Sequence, residues 1–161
     1  MKVYHGSTAV VECPDVRKGR KNLDFGQGFY LTDIKQQAID WATRPINHGK
    51  VQYLNCYELD IEFIKNSHYR YKKFESYNEE WLQYILANRH GEEPTMILDL
   101  VEGGIANDRV FNTIELYDAG LITRAEALNR LVYEQPNNQI CILRQEIIDK
   151  YLTFINAKSL G

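Results

Sequence analysis

Short strand-like runs and capped helical segments follow one another along this chain without a fixed period. That irregular order argues for an α+β fold over a regular array of strand–helix–strand units. Strand character falls on residues 2–4, 29–32, 51–59, 96–101 and 139–143. The 51–59 run, VQYLNCYEL, is rich in aromatic and β-branched residues. Between them lie helical patterns. Asp33 is expected to cap a helix running to about residue 43, with Ile34, Ala38, Trp41 and Ala42 on its apolar face and Pro45 opposing continuation. Ser76 and Glu79 form a capping-box pattern before Trp81, Leu82, Ile85 and Leu86, and Gly91 can end that helix. Further helices are expected over 108–118, from a Thr123–Glu126 capping box through Leu131, and over 144–151. A polar, glycine-bearing loop covers 14–28.

With 161 residues and no repeat or linker, one domain over 1–161 is expected. The charge balance, 19 Lys and Arg against 22 Asp and Glu, gives a net charge of −3 and lacks the basic footprint of a dedicated nucleic-acid binder. The runs Arg17, Lys18, Arg20, Lys21 and His68 to Lys73 could form local basic patches but read as solvated loops or faces, without excluding a nucleic-acid substrate. Three widely spaced cysteines suggest neither a disulfide framework nor a zinc knuckle, and Cys56 and Cys141 fall in apolar, core-like runs. His5, His48, His68 and His90 stand in separate segments without ligand spacing, so no metal is expected. Nothing approaches a membrane span or a signal region, and a reduced, cytoplasmic protein without a membrane partner is expected. Eleven tyrosines suit half-wet clefts, where a ring packs and a hydroxyl meets water.

Three segments carry polar chemistry. Tyr4-His5-Gly6-Ser7 is placed at the end of the opening strand, where a glycine admits close backbone approach to a ligand and His5 and Ser7 offer hydrogen bonds. A histidine at a strand end equally suits a structural role. Gly26-Gln27-Gly28-Phe29-Tyr30-Leu31-Thr32 enters a strand sharply. It sets Tyr30 at the strand start, with Trp41 on the next helix turned back toward it. Two such rings can hold a flat ligand ring between them, or pack as core aromatics beside a tight turn. Its glycines precede a strand and open no helix, so this is neither a Rossmann nor a P-loop signature. Asn137-Asn138-Gln139-Ile140-Cys141-Ile142 sets Gln139 at the head of an apolar strand. A buried carboxamide there needs partners or a ligand, unless the segment is simply a strand after a polar turn.

In this order, Tyr4-His5-Gly6-Ser7, GQGFYLT and NQICI make the chain resemble the ADP-ribosyltransferase superfamily, in its diphtheria-toxin-like and poly(ADP-ribose)-polymerase-like branch. It is similar to a bacterial family of unknown function within that clan, whose members share GxGFYLT, a VxGxxANDRV-type segment (here residues 101–110) and a closing NNQICI-type strand. That closer likeness spans nearly the whole chain.

The resemblance implies two small crossed β-sheets forming an NAD cleft with flanking helices. It implies NAD⁺ as substrate, no metal, and transfer of ADP-ribose to a macromolecular acceptor, protein or nucleic acid. It places His5 on the adenosine ribose, the Gly6 backbone on the nicotinamide carboxamide, and Ser7 and Tyr30 on nicotinamide. Trp41 closes the other side of that ring, and Gly28 belongs to the same binding set. His5, Tyr30 and Gln139 stand at the catalytic positions, Gln139 where the superfamily usually has Glu. A glutamine can hold a ribose hydroxyl but brings no negative charge. Glu134 and Asn137 fall in the loop that meets the acceptor, and Asp108 is a candidate helper carboxylate, with Asp99 and Glu102 in the same central stretch. Asn107 and Asp108 equally suit helix capping. Two alternatives stay open: a non-catalytic NAD- or ADP-ribose-binding module, and an NAD glycohydrolase. A cognate antitoxin or operon partner also fits a small stand-alone domain of a toxin–antitoxin or defence system.

Overall fold

The structure, a computed structural model, describes residues 1–94, 96–106, 108–132 and 137–161. It is α+β, with two small, mostly antiparallel sheets and several helices. The first sheet has β1 (Lys2–Ser7), β3 (Tyr53–Leu59) and β7 (Leu152–Ser159), in the order β1-β3-β7. The second has β2 (Phe29–Leu31), β4 (Tyr71–Lys73), β5 (Leu100–Gly103) and β6 (Gln139–Ile142), in the order β2-β6-β5-β4. Among the described residues only β4 and β5 pair in parallel. The sheets meet at a bridge between Tyr4 and Thr32, whose amides and carbonyls exchange bonds of 2.8 and 3.0 Å.

Alternation along the second sheet builds two cores, because successive side chains point to opposite faces. Phe29, Leu31, Leu100, Ile140 and Ile142 pack with Val3, Tyr57 and Ile147. Val101 and Cys141 pack on the other face with Phe25, Trp81, Leu82, Ile85, Val110 and Ile114. The helices are α1 (Lys35–Ala42), α2 (Ile61–Lys65), α3 (Glu79–Arg89), α4 (Asp108–Asp118), α5 (Arg124–Leu131) and α6 (Gln145–Tyr151). Among the described residues no helix is long and apolar enough to cross a membrane.

Several sequence expectations are corrected. The opening strand continues through Ser7, so the Tyr4-His5-Gly6-Ser7 motif lies inside it. Pairing of His5 with Asn55, Gly6 with Leu54 and Ser7 with Tyr53 extends it. Asp33 does not cap α1: the N-cap is Ile34, with no side-chain bond, and Asp33 Oδ1 instead accepts from Asn138 Nδ2 at 2.9 Å. The α3 cap is Asn78, not Ser76. Asn78 Oδ1 accepts from the Trp81 amide at 2.9 Å, and Glu79 turns outward to Arg124 at 2.7 Å. The third long strand begins at Tyr53 and the central one at Leu100, later than 51 and 96, because pairing with β1 and β4 sets their bounds. The elements α2, β4 and β7 were not expected.

Other expectations match. Gly91, at φ 69°, ends α3 with the paired bonds of a Schellman turn: Glu92 N to Ala87 O at 2.9 Å and Gly91 N to Asn88 O at 3.1 Å. Thr123 caps α5 as expected, its Oγ1 accepting from the Glu126 amide at 3.1 Å, and that hydroxyl in turn donates to the Glu126 carboxylate at 3.2 Å. Cys56 and Cys141 are buried and Cys13 is exposed.

Candidate functional site

A cleft of about 740 Å³ opens where β1, β2, α1 and β6 come together, walled on its outer side by the segment 9–24. His5, Gly6, Gly28, Tyr30, Trp41 and Gln139 all line it, though 134 positions separate the first from the last. Ser7 lies outside the lining, and its Oγ accepts from the Ala9 amide at 3.2 Å. Asn137 spends its carboxamide on structure, accepting from the Ile105 amide at 2.6 Å and donating to Tyr77 Oη at 3.1 Å. Glu134, Asn107 and Pro136, together with the Asp108 side chain, lie outside the described residues. Asp99 and Glu102 are buried away from the cleft. Asp99 is held by Arg70, and Glu102 accepts from Tyr71 Oη at 2.6 Å and Asn138 Nδ2 at 2.9 Å. Among the described residues no group of three or more His, Cys, Asp or Glu could hold a metal ion.

Two of the motif glycines, Gly6 and Gly28, have packing reasons. A side chain on Gly6 would overlap the Ala38 carbonyl oxygen of α1, and one on Gly28 would meet Ile142 O and Cys141 Sγ of β6. Their absent side chains let α1 and β6 close on the strands that carry His5 and Tyr30.

His5 Nδ1 lies 2.8 Å from the Tyr30 carbonyl, which can only accept, so Nδ1 carries the hydrogen. Neutral His5 therefore keeps a free lone pair on Nε2. Part of the ring faces the cleft. Its other sides are walled by protein, with the Phe29 ring centroid at 4.6 Å. That desolvation holds the pKa below its ordinary 6.5, opposed by the Tyr30 carbonyl. A depressed folded pKa means that the unfolded chain binds the proton first, so His5 costs stability as pH falls below about 6.5. His90, raised by Asp118, acts with the opposite sign. In a His90→Asn background, denaturant midpoints are expected to fall from pH 7 to pH 5, and His5→Asn to flatten that slope. An unchanged slope would contradict the placement of His5.

Tyr30 is fixed by its hydroxyl, which donates to Gly26 O at 2.6 Å and accepts from the Phe25 amide at 3.1 Å. Desolvation pushes its pKa well above the usual phenol value. The ring is thus a rigid, neutral surface of the cleft. Gln139 is 5 % exposed, and its Nε2 is buried with no hydrogen-bond partner. A buried, unmatched amide donor costs about 1–3 kcal/mol.

Lys18, Arg20 and Arg44 also line the cleft, and among the described residues none of the three has an ion-pair partner. Lys18 and Arg20, expected from sequence to be solvated loop charges, and Arg44, which no motif marks, are all brought to the cleft by the fold. Lys18 and Arg20 are placed by side-chain amide clamps on their loop. Gln27 Nε2 donates to Arg17 O and Gly19 O, both at 2.9 Å. Gln145 donates to Pro14 O and accepts from the Val16 amide, both at 3.0 Å. The adjoining wall is pinned by Asn55, fully buried in β3, which donates to Ala9 O at 3.0 Å and accepts from the Val11 amide at 2.9 Å. A lone Asn inside the apolar run YLNCYEL was the available signal for that role. Asn55→Ala strands these loop groups and is expected to lose about 1–3 kcal/mol of stability. Faster limited proteolysis within 8–13 would show it, and parental resistance would contradict it.

A family model described as "Protein of unknown function (DUF3990)" matches residues 1–154. No curated protein and no solved structure matches the chain.

Proposed function

The chain belongs to the DUF3990 family, whose description names no activity, and we propose that its cleft binds NAD⁺ and transfers ADP-ribose to a macromolecular acceptor. The observation that carries this reading is Gln139, an unmatched buried amide in a cleft that also gathers His5, Tyr30 and Trp41. A ligand for such a site needs hydrogen-bonding hydroxyls or carbonyls, a flat ring and a negative charge. NAD⁺ has all three. Tyr30 and Trp41 offer ring surface for nicotinamide, and the Gly6 backbone lies within reach of its carboxamide. His5 Nε2 accepts from a ribose hydroxyl. The unpaired cations Lys18, Arg20 and Arg44 suit the pyrophosphate. The fold proposed with this activity is that of the ADP-ribosyltransferases.

In this mechanism the bond between nicotinamide N1 and ribose C1 breaks, and its electron pair leaves with nicotinamide. Positive charge spreads over the ribose ring, as in glycoside cleavage. Gln139 donates to a hydroxyl of that ribose. The acceptor then bonds to C1 and loses its proton to solvent. The protein contributes chiefly orientation, through groups locked by packing and long-range hydrogen bonds.

The test is incubation of the full chain with adenine-labelled NAD⁺ and cell lysate, followed by chromatography. Label on a macromolecule with free nicotinamide supports transfer. Free labelled ADP-ribose without transfer would instead identify a glycohydrolase. A second reading, an NAD⁺- or ADP-ribose-binding module without chemistry, is favoured by the neutral side chain of Gln139. Binding without turnover, converted to turnover by Gln139→Glu, would identify it.

A further inference from the structure

Departure of nicotinamide leaves positive charge on the ribose, and a fixed negative charge beside it lowers that barrier most effectively. Gln139 supplies none, so the question is whether the cleft holds another carboxylate. Three acids line it: Glu12, Asp15 and Asp24. Asp15 is neutralised by Arg17, whose guanidinium and amide lie 2.9–3.1 Å from its oxygens. Asp24 is neutralised by Arg89 Nε at 2.7 Å. Glu12 differs from both. Among the described residues its carboxylate has neither a cation nor a hydrogen-bond donor.

Its backbone is fixed even though its side chain is exposed. On one side, Val11 is held at both polar groups by β3: its amide donates to Asn55 Oδ1 at 2.9 Å and its carbonyl accepts from Tyr57 Oη at 2.6 Å. On the other, the Pro14 carbonyl accepts from Gln145 Nε2 at 3.0 Å. A charge carried between two such anchors needs little reorganisation when a reaction calls on it.

We propose that Glu12 is the catalytic carboxylate of this cleft, facing the nicotinamide ribose across from the unmatched amide of Gln139; this rests on the NAD⁺ reading above. Exposed in the free chain, the carboxylate is covered once NAD⁺ fills the cleft. It stays ionised and forms no bond. The N1–C1 pair leaves with neutral nicotinamide, the ribosyl cation forms opposite the carboxylate, and the acceptor oxygen bonds to C1 and gives its proton to solvent. With water as acceptor, NAD⁺ and water become ADP-ribose, nicotinamide and one proton.

The experiment uses the full chain with NAD⁺, comparing the parent with Glu12→Gln and Glu12→Asp. Nicotinamide release gives kcat, calorimetry gives the NAD⁺ Kd, and a thermal melt checks folding. Glu12→Gln is expected to fold as the parent, keep its Kd within about twofold, and lose about 100-fold in kcat. Glu12→Asp is expected to retain part of that rate. Parental kcat in Glu12→Gln, or a loss confined to Kd, would overturn the proposal while leaving the NAD⁺ site intact. NAD⁺ binding with no nicotinamide release by the parent would overturn it too. No NAD⁺ binding by the parent would remove the underlying reading as well.

Discussion

Gly6→Ala is expected to unseat α1 and remove most NAD⁺ binding together with much of the stability. A methyl at this position would overlap the Ala38 carbonyl oxygen and press on the Ala42 amide at 2.9 Å. Both are helix backbone, so no rotamer change relieves the clash, and α1 must move away from β1. Overpacking against yielding side chains costs about 1–3 kcal/mol, and a clash with backbone belongs at or above the upper end. For a domain of this size, 3 kcal/mol corresponds to roughly 6–12 °C in melting temperature. The functional loss has the same cause, since α1 carries Trp41 into the cleft and Arg44 follows at its end. A melt and an NAD⁺ titration of Gly6→Ala check it. A parental melting temperature would show that the close packing of α1 on Gly6 is misplaced.

The second large effect has two signs. Gln139→Leu removes the buried amide nitrogen that has no partner, so the free protein is expected to hold or gain stability, by up to about 1 kcal/mol. NAD⁺ affinity is expected to fall at least tenfold, about 1.4 kcal/mol. Stability gained while binding is lost marks a residue kept for a ligand and not for the fold. Denaturant melts and calorimetry read the two signs separately. Destabilisation of the free protein, or unchanged NAD⁺ affinity, would count against the role given to Gln139.

Much of the framework was legible because local chemistry decided it. The Thr123–Glu126 cap and the Gly91 stop are formed within a few residues, and the chain around them needs no distant partner. The strand at Gln139–Ile142 announced itself as an apolar run after a polar turn. The second basic run is neutralised by pairing, Arg70 on Asp99 and Lys72 on Glu80, and the first of these partners lies 29 positions away. What remained hidden depends on partners far away. β7 is an edge strand of exposed or half-exposed residues, ordered by antiparallel pairing with β3 and by Leu152 and Phe154 packing on the core. β4 has three residues and exists because β5 lies beside it. Asp33 looked like a cap, yet Asn138, more than a hundred positions away, takes its carboxylate.

The candidate site divides in the same way. The glycines and aromatics were visible as motifs, but their spacing could not reveal that Gly6 and Gly28 make room for α1 and β6. Lys18 and Arg20 looked like ordinary loop charges, and no motif marked Glu12. They gain meaning only because Gln27, Gln145 and Asn55 fix the loop they stand on, over 8 to 131 positions of separation.

The central claim is that this cleft is an NAD⁺ site, and a calorimetric titration of the full chain with NAD⁺ tests it most directly, run beside His5→Ala. We expect saturable one-to-one binding by the parent, weakened at least tenfold in His5→Ala, about 1.4 kcal/mol. No binding by the parent, or equal affinity in the two proteins, would contradict the account.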